Sequence, residues 1–274
     1  LVLHTKRIRM KGVNHTVCNF KSFDEIRSCL EVIRPDFVIN AIGLTNVDHC
    51  EYDPKIASYV NTVLAKDIAV ACSICGILLV HISTDHLFSG RNSFTNEKSK
   101  IEPINVYANT KAAAENEVMS ANKYTLVIRT NFFCWGPPYR QSFSDRIIKR
   151  IRSKRQVNLF SDVFFTPLNA VALAKNVHEL IDKKVYGIFN MSSDDKVSKY
   201  DFGHLICEEF GLDSKLIKSG LAIKTTPLAR RPLDMSLSNQ KISSVLGRRI
   251  GTVAEQVRSL KKQESSIALE LDLL

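Results

Sequence analysis

Tyr107 and Lys111 are four residues apart in the stretch Tyr-Ala-Asn-Thr-Lys. On a helix that spacing puts both side chains on one face. A free phenol titrates near pH ~10, and a neighbouring ammonium favours the phenolate and lowers that value. Upstream, Ser83-Thr84-Asp85 closes an apolar run. The hydroxyl of Thr84 or of Ser83 is of the right kind to hydrogen-bond a substrate oxygen. Together these groups would move a proton onto or off a carbonyl oxygen, which is half of a carbonyl reduction. The hydride would come from a nicotinamide cofactor.

A Tyr-x-x-x-Lys pair by itself is also what any helix surface offers, so its setting matters. Val38-Ile-Asn-Ala-Ile-Gly-Leu-Thr-Asn-Val-Asp48 reads as a buried strand and the loop after it. Leu78-Leu-Val-His-Ile-Ser-Thr-Asp85 reads as the next strand, with its polar triplet at the C-terminal end. Ligands of open α/β sheets bind at that end.

The 274 residues are 45% hydrophobic and 24% charged, the balance of a globular chain with a sizeable core. No apolar run is long enough to suggest a membrane span. No leader pattern is present, so a cytoplasmic setting is expected. The seven cysteines are irregularly spaced, and Cys72-Ser-Ile-Cys75 has no second pair to complete a metal site, so none is expected. The net charge of +10 suits an anionic ligand. The densest basic stretch, Arg146–Arg155, carries Ile147, Ile148 and Ile151 on one face, so it reads as an amphipathic helix whose basic side is solvated or meets a ligand's phosphates, rather than a nucleic-acid surface.

Apolar strands alternate with amphipathic helices, the pattern of a parallel sheet. Strands are expected at 1–5, 36–41, 77–82, 124–129, 157–160 and 186–191. Helices are expected at 22–33, from 54, at 61–74, 105–121, 142–153, 170–181, 199–210, 241–246 and 252–262. Residues 42–53 and 86–104 read as loops. The tail from 264 reads as helix or frayed end. No GxGxxG turn occurs. The chain therefore reads as a Rossmann-like, doubly wound α/β fold whose first strand and glycine turn are missing, either because it is a fragment or because the loop has been lost. Residues 1–130 would form the cofactor-binding unit, to which 155–193 return. Residues 131–154 and 194–262 would form a smaller substrate-binding region, with 263–274 a tail.

Several stretches together resemble a family. They are Arg34-Pro-Asp-Phe-Val-Ile-Asn-Ala41, Thr45-x-Val47-Asp48-x-x-Glu51, Asn61, His81-Ile-Ser-Thr-Asp-His-Leu-Phe-Ser-Gly90, Pro103-Ile-Asn-Val-Tyr107-x-x-x-Lys111-x-x-x-Glu115, and Arg231-Pro232 with Leu237. Over about residues 18–260 the chain is similar to the extended short-chain dehydrogenases, and within them to the dTDP-4-dehydrorhamnose reductases. The resemblance implies that Tyr107 protonates the C4 oxygen of a sugar, that Lys111 holds the nicotinamide ribose and lowers the Tyr107 pKa, and that Thr84 hydrogen-bonds the reacting oxygen. Ala41, Gly43 and Thr45, with Ser83, would line the cofactor. Asp85 would face the sugar, and Arg231 would lie near the diphosphate of a nucleotide-linked sugar. The chain departs from the family pattern at Ile42-Gly-Leu44, Thr130–Gly136 and Thr166–Val171.

The leading reading is an NAD(P)H-dependent reductase of a nucleotide-linked 4-keto-6-deoxy sugar, with a homodimer left open. An epimerase or dehydratase of the same fold is an alternative, as is a non-catalytic nucleotide-binding subunit. Thr5-Lys6-Arg7 stands where NAD-specific folds usually place an acidic residue. Arg7 is therefore a candidate for the 2′-phosphate, and NADPH is expected over NADH.

Overall fold

The computed structural model describes residues 2–4, 12–18, 20–137, 140–225 and 227–271. β1 (Val2–His4) and β2 (His15–Val17) pair in parallel. α1 (Phe23–Ile33) starts at Ser22, whose side chain accepts from the Glu25 N–H at 3.3 Å, and ends at Arg34 ahead of Pro35. The proline bars the residue before it from continuing the helix. β3 (Phe37–Asn40), α2 (Val47–Tyr52), α3 (Pro54–Ser58), one π turn at Tyr59–Val63, α4 (Leu64–Ile74), β4 (Leu78–Ile82), α5 (Val106–Ala121) and β5 (Thr125–Arg129) follow. Then come β6 (Phe132–Phe133), α6 (Phe143–Arg152), β7 (Val157–Phe160), β8 (Phe164–Phe165), β9 (Leu168–Asn169), α7 (Ala170–Asp182) and β10 (Gly187–Asn190). The chain closes with β11 (Val197–Ser198), α8 (Lys199–Phe210), β12 (Ile217–Gly220), α9 (Gln240–Leu246) and α10 (Val253–Leu271).

The main sheet is parallel, in the order β10-β5-β4-β3. Its side chains alternate between the sheet's two faces. Leu79 and Val127 pack with α1, α4 and α5, while Val80, Leu126 and Ile128 pack with α7 and α9. Covering both faces is why these strands read as continuous apolar runs. A second core lies between α6, α8, α10, β7 and β12, around Phe133, Phe165 and Phe202. Their rings meet edge to face at 5.0 and 5.4 Å, an arrangement that aromatic quadrupoles favour. Within 155–193, β7 pairs with β12 in this second core, while α7 and β10 belong to the main sheet.

Some expectations are corrected. The loop over 42–53 holds α2, which exists because Asn46 caps the His49 N–H at 3.0 Å while Val47 and Cys50 are buried. The helices expected from 54 and at 61–74 form one nearly continuous run, joined by the π turn that carries Asn61. Of the two readings of the tail, the helical one holds, and the last helix runs on from 262 to Leu271. β2, β6, β8, β9, β11 and β12 were not legible, because strands of two to four residues are made by pairing with distant chain, not by local pattern.

A buried ion pair ties α5 to the sheet. The Arg129 guanidinium donates to both Glu115 carboxylate oxygens, at 3.0 Å and 3.1 Å from Nε and 2.7 Å from Nη2. The two side chains are 2% and 1% exposed. Ser83 Oγ donates to the same carboxylate at 2.6 Å, so β4, β5 and α5 share one polar knot. Glu115→Leu strands the guanidinium in the core and should cost about 3–5 kcal/mol of unfolding free energy. Denaturant unfolding of the variant measures this, and a loss below about 1 kcal/mol would show that the pair does not hold α5 in place.

Candidate active site

The N-terminal turn of α5 is fastened from several sides before it presents any chemistry. Asn105 caps the Ala108 N–H at 2.8 Å and donates to the Arg230 carbonyl at 2.8 Å. Glu51 accepts from the Val106 N–H at 3.1 Å. Asn61, in the π turn, donates to Thr110 Oγ1 at 3.0 Å. The same amide clamps the loop after β3, accepting from the Leu44 N–H at 2.7 Å and donating to the Leu44 carbonyl at 3.2 Å. The first turn of α5 and the β3 loop are therefore held in one frame.

Tyr107, Thr84 and Lys111 come together in that frame, each less than a tenth exposed. The Tyr107 ring meets His86 edge on at 5.6 Å. Burial pushes its phenol up to about 12, with a hydrogen bond with Thr84 opposing the rise and Asp85 adding to it, so the lowering expected from Lys111 is overturned by desolvation. Thr84 Oγ1 accepts from the His86 N–H at 3.2 Å and lies 3.3 Å from Asp85 Oδ1. Asn131 holds the other Asp85 oxygen at 2.8 Å. Lys111 Nζ donates to the Ile82 carbonyl at 2.8 Å and lies 3.2 Å from His81 Nε2. Burial lowers its amine to about 8, against the opposing pull of Glu115.

The other candidates fall around this cluster. Ala41 and Thr45 are exposed and Gly43 is half-buried, in the loop leaving the C-terminal end of β3. A Cβ on Gly43 would stand 3.4 Å from Asn61 Oδ1, so the backbone there runs close to the clamp. Ser83 is placed with the scaffold, its hydroxyl proton committed to Glu115. Arg231 lies at the rim, bound to Asp48 at 2.6 Å and to the Ala229 carbonyl at 3.2 Å. Arg7 lies outside the described residues. Among the described residues no cluster could hold a metal ion, every cysteine is unpaired, and no helix is long and apolar enough to cross a membrane.

A family model described as the RmlD substrate binding domain matches residues 2–265. The chain belongs to that family. It is 32% identical over 231 residues to the probable low-salt glycan biosynthesis reductase Agl14 of Haloferax volcanii, covering 82% of this chain and 77% of that protein. It is 27% identical to the dTDP-4-dehydrorhamnose reductase of Escherichia coli K12, covering 81% and 78%. The crystal structure of a dTDP-4-dehydrorhamnose reductase from Clostridium acetobutylicum superposes with a TM-score of 0.83 at 26% identity, covering 93% and 92%. One from Bacillus anthracis in complex with NADP shares the fold at a TM-score of 0.85 and 20% identity, covering 92% and 90%. This chain is thus a reductase of the extended short-chain dehydrogenase type, an enzyme of glycan-precursor synthesis.

Sequence reasoning missed three participants in the reductase's site. His81 reads as one polar residue in an apolar strand, Asn131 as part of the stretch that departs from the family pattern, and Lys199 as the first residue of a helix. Lys199 comes from the second core, where its ammonium stands 3.2 Å from the Phe165 ring centroid and 5.0 Å from that of Phe143. Burial lowers its amine to about 7, while Asp85 pulls the other way. Nothing in the local sequence marks it, because Asp85 and Lys199 meet only through the fold. The unfolded chain keeps the proton that folded Lys199 gives up, so this residue's effect on stability grows more favourable as pH rises from about 7 to the free-lysine value of 10.5. Lys199→Met should therefore be stabilised most against wild type below pH 7 in thermal melts. The gap should close as pH climbs through that window, and a pH-independent difference would contradict the buried amine.

Proposed function

We propose that this reductase transfers hydride from NADPH to the C4 carbonyl of a nucleotide-linked 4-keto-6-deoxy sugar, with Tyr107 as the acid. The observation that carries this reading is the meeting of Tyr107, Thr84 and Lys111 beside the C-terminal ends of β3 and β4. The names of the relatives point to the same sugar chemistry.

A phenol raised to about 12 is neutral across the physiological range, so it is loaded to donate. Thr84 adds a hydrogen bond to the same carbonyl oxygen and so helps carry its growing negative charge. Lys111, one turn along α5, stabilises the phenolate that proton donation leaves. Asp85, held by Asn131, faces the sugar hydroxyls, and the amine of Lys199, lowered to about 7 by burial, lies close enough to feel the Asp85 charge.

The residues present fit a nicotinamide ribose. Ala41 and Thr45 leave an open surface after β3, the Asn61 clamp holds the backbone between them, and the Lys111 amine lies at the neighbouring strand end. The cofactor supplies the hydride when bound. Asp48 holds the Arg231 guanidinium at the rim, a position from which it can meet a diphosphate.

Tyr107→Phe should fold as wild type and lose about 10²–10⁴-fold in turnover, the worth of a positioned proton donor. Steady-state kinetics with a dTDP-linked 4-keto sugar and NADPH test it, and a variant within a few-fold of wild type would sink the assignment. Wild type should also prefer NADPH to NADH. Arg7→Ala should erode that preference, since a guanidinium pairs with the 2′-phosphate and not with a 2′-hydroxyl. Equal catalytic efficiencies with both cofactors, or a ratio unchanged in the variant, would count against the role of Arg7.

A further inference from the structure

α2 carries two carboxylates, Asp48 and Glu51, three residues apart and so on one face of the helix. Asp48 grips the stretch 229–231. Its Oδ1 accepts from the Ala229 N–H at 3.2 Å, and its Oδ2 accepts from Arg231 Nη2 at 2.6 Å. Arg231 Nη1 donates back to the Ala229 carbonyl at 3.2 Å. Two separate acceptors fix the plane of the guanidinium, and its remaining N–H groups have no acceptor among the described residues. Glu51 grips α5. Its carboxylate accepts from the N–H of Val106, the residue before Tyr107, at 3.1 Å. Asn105, the cap of α5, donates to the Arg230 carbonyl at 2.8 Å and closes a ring of bonds from α2 through α5 to 229–231 and back. Inside the ring Val47, Cys50, Tyr107 and Ala229 pack in one small cluster.

The arginine lies on the side of the acid. Burial lowers the His86 imidazole, Asp85 opposes this, and the charges of Lys199 and Arg231 add to it, so the Arg231 charge acts on the ring that meets Tyr107 at 5.6 Å. An exposed ion pair adds little to stability, and the Asp48 and Arg231 side chains are 45% and 38% exposed. The bond matters for direction instead. A loose arginine gives up rotamer freedom when it meets a phosphate, and one already held gives up less. In a nucleotide-linked sugar the diphosphate hangs from C1 and the keto group stands at C4, on opposite corners of one ring. That ring alone sets the distance between them. A protein that holds the diphosphate and protonates the keto oxygen must keep its cation and its acid at a matching separation. α2 is bonded to both.

We infer that α2 is a spacer that fixes the separation between the Arg231 guanidinium and the Tyr107 phenol, with Asp48 and Glu51 as its positioning residues. The inference rests on the roles proposed above for Arg231 and Tyr107. The two carboxylates act on different steps. Asp48 acts on binding, because an arginine held in place meets the diphosphate alike before and during the reaction. The bond from Arg231 also holds the Asp48 carboxyl below its ordinary value, so it is ionised at neutral pH. Glu51 acts on the chemical step, because it fixes the turn from which the phenol reaches the carbonyl oxygen. A misplacement of about 1 Å in such a group can cost about 10²-fold in rate.

Calorimetric titration of the full chain with dTDP, and steady-state kinetics with a dTDP-linked 4-keto sugar and NADPH, test this. Asp48→Ala should bind dTDP about two- to tenfold more weakly than wild type, the cost of ordering a loose arginine. Its KM for the sugar should rise to match, with kcat nearly kept. Glu51→Ala should show the opposite split, binding dTDP as wild type does while kcat falls about tenfold or more. Glu51→Gln keeps an oxygen for the Val106 N–H and should restore most of that kcat. Wild-type dTDP affinity in Asp48→Ala would overturn the spacer, as would an unchanged kcat in Glu51→Ala. Equal losses of affinity and kcat in both variants would overturn it too, because a helix that serves only stability would give them. Should Asp48→Ala fail to fold, Asp48→Asn has one amide oxygen in place of two acceptors. It should still lose dTDP affinity, and full affinity there would count against the inference. Full activity in Tyr107→Phe would remove the proposed reaction and leave the effect of Asp48 on dTDP binding standing. Undiminished dTDP binding in Asp48→Ala would remove the spacer and leave the reaction.

Discussion

The carboxylate of Glu115 is the point from which the site is built. It sits in the core, receives two donors from Arg129 and one from Ser83, and so joins α5 to the ends of β4 and β5. Charges are tolerated at that depth only when they are paired and hydrogen-bonded. Once the knot forms, the face of α5 one turn away has a single position relative to the sheet. Lys111 then reaches the Ile82 carbonyl and His81, and Tyr107 comes to rest beside Thr84 and His86. Losing the pair would change more than stability, because the same helix carries Tyr107 and Lys111.

Low dielectric does the rest of the chemistry. Desolvation raises the phenol of Tyr107 and lowers the amines of Lys111 and Lys199, each toward its neutral form. A site that must donate a proton to a carbonyl benefits from a loaded neutral acid.

The second core contributes from across the cleft. The Phe-rich packing around Phe165 and Phe202 carries the N-terminus of α8, and with it Lys199, toward Asp85. The stretch at 229–233 is drawn back over α5 by the Asn105 bond to the Arg230 carbonyl and by Asp48, which binds Arg231. Pro232 and Leu233 lie so near Gly90 that a Cβ there would come within 2.8 Å of both residues. The rim of the site is thus made of loops from both halves of the chain.

What the sequence determined by itself is what repeats locally. Tyr107 and Lys111 share a helix face because four residues make about one turn. Leu78–Ile82 and Thr125–Arg129 were legible as strands because both their faces are covered by helices. Ser22 capped a helix as such residues do, and Gly211 ended one in the left-handed region that glycine enters without strain. The tertiary structure alone decided which polar groups meet. The Glu115–Arg129 knot, the Asn61 clamp on Leu44, the contact of His81 with Lys111 and the approach of Lys199 to Asp85 each join distant parts of the chain. A lone His in an apolar run or a Lys opening a helix carries no local mark of its partner. Hydrogen bonds and charges act over a few ångströms of space, and only the folded path of the chain sets those distances.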